Sequence, residues 1–275
     1  MNAFDLDILV YLHQFAFKSH AFDHAVNTIA TLDIFKGVPM MGLFWWAWTI
    51  RDSRVKARHQ ILIATIISGL VSLALGRYLA HELPFRIRPL FDQSLPFSFP
   101  VADENAALRS WSAFPSDHAM LWFSVATGIY LTSRRIGVLA LFYTAIVICL
   151  PRVYLGLHHP TDILAGAFLG IAVTLVLTRE KLRAVMSRPF EGWWRVSPQS
   201  FYLIAFLASY GFATTFAEAR TLATSIEKYV GPHAHVVAQE NESHPDAFAY
   251  ANTPHKGTTV TSQSQQLADM PKSSW

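Results

Sequence analysis

The chain has 275 residues, of which 52% are hydrophobic and only 15% charged, with a formal net charge of +3 at pH 7. A soluble domain carries about 25% charged and about 45–50% apolar residues, so this chain has too few polar side chains to cover a water-facing surface. Disorder, collagen-like repeats and a disulfide scaffold are excluded; the single cysteine, Cys149, sits in an apolar run with no second cysteine to bridge to.

In chain order, residues 1–33 are apolar but interrupted by Asp5, Asp7, His13, Lys18 and Asp23. They lack the positive opening and the small-residue cleavage site of a secretory signal, and read as a helix or helix pair lying at the membrane interface. Six apolar blocks follow. Residues 61–76, 119–132, 136–151, 163–178 and 201–217 hold no Asp, Glu, Lys, Arg or His, and 37–50 extends to about residue 34 if Lys36 snorkels to the interface. A spanning helix needs roughly 17–25 such residues, so each block reaches that length only with its flanks. Together they predict an all-α, polytopic membrane bundle of about six transmembrane helices. The core is expected over 34–178, a basic connection and a further span over 179–218, and a polar, disordered tail over 219–275.

The charges order these spans. Arg51, Arg54, Lys56 and Arg58 fall in one connection, Arg134 and Arg135 in another, and Arg179, Lys181, Arg183, Arg188 and Arg195 in a third. Counting crossings puts all three on one side, which the positive-inside tendency makes cytoplasmic. The pI near 9.0 is therefore a topology signal. No basic run is interleaved with exposed aromatics, so nucleic acid is not expected as a partner.

The remaining connections, 81–115 and 152–162, then share the outer face and hold an unusual set of residues. They read His81-Glu-Leu-Pro-Phe-Arg86-Ile-Arg88-Pro89, then Phe114-Pro115-Ser116-Asp117-His118, then Pro151-Arg152 followed after five intervening residues by His158-His159-Pro160-Thr161-Asp162. Pro115 and Pro160 suit the first turns of helices, whose N-termini attract anions. His118 can move a proton near neutral pH. Asp162, four residues after His158, can orient that imidazole and stabilise its positive form. Arg88 and Arg152 offer forked donors suited to phosphate oxygens. Taken singly, Ser116 reads equally well as a helix cap and Asp162 as a helix-dipole partner. Taken jointly, two histidines, a carboxylate, two arginines and two helix N-termini on one face form a phosphoryl-transfer set that needs no metal.

These motifs resemble the signature of the type-2 phosphatidic acid phosphatases, Lys-x6-Arg-Pro, Pro-Ser-Gly-His and Ser-Arg-x5-His-x3-Asp, and the FPSDH form resembles the undecaprenyl-diphosphate phosphatase branch. The resemblance implies that His158 forms a phosphohistidine, that Asp162 is its charge-relay partner and that His118 protonates the leaving group. It further implies that Arg88, Ser116 and Arg152 bind phosphate. Three positions depart from the pattern: the lysine falls at His81, the glycine at Asp117 and the serine at Pro151. A protonated His81, or Arg86, is the expected replacement for the lost cation. The implied protein is a metal- and cofactor-independent lipid phosphatase in the bacterial inner membrane, acting on a phosphorylated lipid at the outer face. A lipid phosphotransferase and a non-catalytic binder or transporter of phospholipid are the alternatives. Nothing in the sequence sets an oligomeric state.

Overall fold

The computed structural model describes residues 2–100 and 111–214, all helix and connection. The helices are α1 (Ala3–His13), α2 (His20–Thr31), α3 (Asp33–Thr49), α4 (Val55–Glu82), α5 (Asp117–Thr132), α6 (Arg134–Tyr143), α7 (Leu150–Tyr154), α8 (Pro160–Leu177), α9 (Glu180–Val196) and α10 (Pro198–Ala213). The all-α expectation holds, and the N-terminal segment is a helix pair. The tail expected over 219–275 lies outside the described residues.

At the centre stands α5, packed most extensively on α4 and α8. Its residues Ala119, Met120, Leu121, Trp122, Val125, Ala126 and Ile129 are all buried. A helix apolar on every side has to be enclosed by others. Its neighbours show the reverse arrangement. On α4 the buried face is Thr65, Ser68, Gly69, Ser72 and Gly76 while Leu70, Val71 and Tyr78 are exposed. On α8 the buried stripe is Asp162, Gly166, Gly170 and Thr174, one helical turn apart, with Leu164, Phe168, Leu175 and Val176 outside. Small and polar residues inward with large apolar ones outward is how helices pack in lipid, where burying Leu confers no advantage over leaving it against acyl chains.

The small residues bring backbones close. A Cβ on Gly170 would stand 2.3 Å from the Met120 carbonyl oxygen, and one on Gly166 2.7 Å from that of Ser116. Nearby, the Ser124 and Thr174 hydroxyls share a hydrogen bond of 2.7 Å across the same interface.

Three helical stretches are long and apolar enough to cross a membrane: Val55–Glu82, Arg134–Tyr154 and Pro160–Leu177. The other three expected spans are helical but shorter, with 17 residues in α3 and 16 each in α5 and α10, against the roughly 20 that a full crossing takes. Lys36 does not snorkel. It is buried, paired with Asp33 at 2.6 Å, and its ammonium donates to the Ala30 carbonyl at the end of α2. The basic connection over 179–200 is itself helical, forming α9 and the start of α10.

Between α6 and α7 the chain stays helical but widens into a π-helical turn, Thr144–Cys149. Pro151 explains the widening. It has no N–H to give to the carbonyl of Val147, and its ring crowds that carbonyl, so the preceding turn opens.

Candidate active site

All three motifs meet at one end of the bundle: the connection after α4, the start of α5, and the α7–α8 loop. Three backbone hydrogen bonds join them. Ala113 N donates to Arg86 O at 2.9 Å, Ser116 N to Asp162 O at 3.2 Å, and Leu90 N to Gly156 O at 2.9 Å. Gly156 makes the last turn possible. Its φ is +68°, and an added Cβ would stand 2.7 Å from the Phe99 ring, so both backbone and space require glycine.

His158 is the best-defined side chain here, with 5% of its surface exposed. Its Nδ1 lies 2.9 Å from the Ala113 carbonyl oxygen. A carbonyl can only accept, so the proton sits on Nδ1 and Nε2 carries the lone pair. That Nε2 lies 3.4 Å from the Arg88 guanidinium, whose same nitrogen donates to Leu157 O at 2.7 Å. Burial lowers the His158 pKa below the ordinary imidazole value; Asp162 opposes this, while Arg88 and Arg152 add to it. The ring is therefore neutral at pH 7, with its lone pair beside a fixed cation.

Asp162 is fully buried. Its Oδ2 accepts from His159 N at 2.8 Å, closing the first turn of α8 behind Pro160. The same oxygen is 3.8 Å from His158 Nδ1, close enough for charge to act but too long for a hydrogen bond. The expected charge-relay pair is thus brought together, while the Ala113 carbonyl fixes the tautomer.

Arg88 and Arg152 are both buried. Arg152 reaches back to the Ala30 carbonyl at 3.4 Å, and its Nε has no hydrogen-bond partner among the described residues. Ser116 is the N-cap of α5 but makes no capping bond, and its fully buried hydroxyl has no partner among the described residues. Buried polar atoms are rarely left so, and such a hydroxyl suits a ligand oxygen. Pro115 precedes this cap rather than opening the helix. His118 is half-buried in the first turn of α5.

Two expected phosphate ligands are not placed as such. His81 is in the last turn of α4 with its side chain 88% exposed and Glu82 as its neighbour at 3.6 Å. One turn earlier on the same face, Arg77 meets the site instead. Its Nε is 2.8 Å from Asp117 Oδ2, and its guanidinium lies over the Trp111 ring at 4.3 Å. Asp117, where the resembled signature has glycine, is thereby turned toward a cation. Arg86 does not face open space either. Its guanidinium is divided between Asp162, Thr161 and Asp5.

Sequence reasoning missed Arg77, Thr161, the Ala113 carbonyl and Asp5. Arg77 ends an uncharged block on the face of His81, which was a usable signal; a carbonyl leaves none. Among the described residues, no group of three or more His, Cys, Asp or Glu side chains gathers as a metal cluster would.

YbjG of Escherichia coli (strain K12), to which undecaprenyl-diphosphatase activity is provisionally attributed, is 27% identical over 166 residues, 60% of this chain and 77% of that protein. The bacitracin transport permease protein BcrC of Bacillus licheniformis is 25% identical over 131 residues, 48% of this chain and 58% of that protein. No solved structure matches the chain significantly. The family model of the PAP2 superfamily matches residues 57–184, just under half of the chain, and that stretch holds Arg88, Ser116, His118, Arg152, His158 and Asp162.

Proposed function

We propose that the chain is an integral-membrane lipid phosphatase that hydrolyses a lipid phosphate or diphosphate, undecaprenyl diphosphate foremost, through a phosphohistidine on His158. The observation that carries this reading is the fixed tautomer: Nδ1 is tied to Ala113 O at 2.9 Å, and Nε2 is held 3.4 Å from Arg88. The names of the relatives support the choice of lipid.

In this mechanism the Nε2 lone pair attacks the terminal phosphorus in line, forming the N–P bond as the P–O bond to the lipid breaks. His118 gives a proton to the departing oxygen. Water then attacks phosphorus, His118 takes its proton, and the N–P bond breaks to release inorganic phosphate and free imidazole. Positive charge grows on His158 during attack, which the Asp162 carboxylate stabilises. Arg88, Arg152, the Ser116 hydroxyl and the start of α5 hold the equatorial oxygens, and such preorganised donors supply most of the acceleration in phosphoryl transfer. No step requires a metal. The six apolar blocks cross the bacterial inner membrane in this reading, with the site facing the periplasm or exterior and the arginine-rich connections inside.

Purified protein should release phosphate from undecaprenyl diphosphate in the presence of a chelator, and His158→Ala should abolish release while still inserting in membranes. Full activity in that variant would refute the phosphohistidine.

A further inference from the structure

We infer that Asp5 of α1 is a positioning residue for this reaction, acting through Arg86 on the Asp162 carboxylate that faces His158. The inference rests on the phosphohistidine reading, and concerns a residue outside the stretch matched by the family model.

Asp5 is completely buried in the first turn of a helix otherwise rich in apolar residues. Taking a carboxylate out of water is costly unless its oxygens are satisfied, and here both are. Oδ1 accepts from Thr161 N at 2.9 Å; Oδ2 accepts from Thr161 Oγ1 and from the Arg86 guanidinium, each at 2.7 Å. Burial alone would raise the Asp5 pKa, but these donors outweigh it and hold the carboxyl below its ordinary value. The other terminal nitrogen of Arg86 donates to Thr161 Oγ1 at 2.8 Å and to Asp162 Oδ1. With Oδ2 of Asp162 held by His159 N, the carboxylate has one orientation available. A forked guanidinium between two carboxylates is a rigid link, and it runs from α1 to the residue four positions after the proposed nucleophile.

The link also sets the charge that His158 feels. Two carboxylates share one guanidinium, so Arg86 does not fully neutralise Asp162. Removing the Asp5 charge would let Arg86 settle on Asp162, and both changes weaken the negative field at His158. The charged groups that act on this imidazole are Asp162 from α8, Arg88 from the α4–α5 connection and Arg152 from α7, while Arg86 reaches it through Asp162, and His159, Asp117 and His118 stand on the elements packed alongside. Asp5→Asn leaves each of these side chains in place and changes directly only the ion pair of Arg86.

A residue that merely fastens α1 and one that positions Asp162 differ in what they change. With full-length protein and undecaprenyl diphosphate, Asp5→Asn should lower kcat about tenfold, as loss of a supporting hydrogen-bond partner does, with KM within about twofold. Its acid limb of kcat should move to lower pH, and the loss should vanish in an Asp162→Asn background. Arg86→Lys, which keeps the charge but lacks the fork, should lose kcat similarly, and serves if Asp5→Asn fails to fold. Unchanged kcat in both variants, or an equal Asp5→Asn loss with and without Asp162, would overturn the inference. Should His158→Ala retain activity, the function proposal fails instead. The link is then judged by the NMR titration of 13C-labelled His158, whose pKa should fall in Asp5→Asn and would stay put if Asp5 only fastens α1.

Discussion

The two ends of the bundle are both rich in arginine and use it oppositely. At the end of α5 away from the site, Arg54, Arg58, Arg134 and Arg135 line an open cavity of about 680 Å³. Arg54, Arg134 and Arg135 are exposed there, and only Arg58 is buried, against Asp52 at 2.5 Å and the Ile50 carbonyl. About 24 Å away, at the 1.5 Å rise per residue of a 16-residue helix, Arg88 and Arg152 are buried and Arg86 is wedged between carboxylates. An exposed arginine costs the fold little and records which side of a membrane it prefers. A buried one needs partners to offset its desolvation. Arg58 apart, exposure thus separates the arginines expected to sort topology from those proposed to do chemistry, a distinction that composition does not contain.

The sharpest test of this division is to remove one arginine from each end. Arg88→Ala should reduce kcat for phosphate release by about 10²–10³, the effect of deleting one preorganised donor to a developing oxyanion. Arg88→Lys should recover only part of this, because a single ammonium cannot contact both Leu157 O and a ligand in the fork's geometry. Activity near that of the parent in Arg88→Ala would end the distinction. A smaller effect is expected in the pH profile. Since the folded-state pKa of His158 lies below its ordinary value, the neutral nucleophile persists as pH falls and is lost only beneath about 6.5. The acid limb of kcat/KM should have its midpoint below that value; a midpoint above it would mean that some other group is titrating. Least of all should change with Arg134→Gln and Arg135→Gln together. Turnover in detergent should stay within about twofold, while labelling of an engineered cysteine beside residue 135 should report weakened cytoplasmic orientation.

Much of the fold was legible because apolar blocks and the charges between them obey strong rules. The helices fall on those blocks, and the three motifs converge as their shared face required. Span length was the weaker inference. Apolar residues in α5 are enclosed by protein, and a buried helix and a spanning one have the same composition over 16 residues. At the site, His158, Asp162 and Arg88 were readable from spacing. Asp5 was not, because a carboxylate in an apolar segment reads as an interruption until the helix is docked. His81 was misassigned because counting back from Arg88-Pro89 gives a position in sequence, whereas the cation that meets Asp117 comes from one helical turn earlier, at Arg77.

The wide turn at Thr144–Cys149 has a consequence for how relatives are to be aligned. A turn closed by bonds five residues apart holds one residue more than an α-helical turn, so Arg152 is rotated about 100° around the helix axis from where an uninterrupted helix would carry it. From that position its side chain reaches the Ala30 carbonyl at 3.4 Å. A relative without the wide turn would place the equivalent arginine on the same side only with one residue fewer before it. A single-residue gap opposite Thr144–Cys149 in such an alignment would preserve the shape of the site, and forcing the columns to match without it would pair residues that point in different directions.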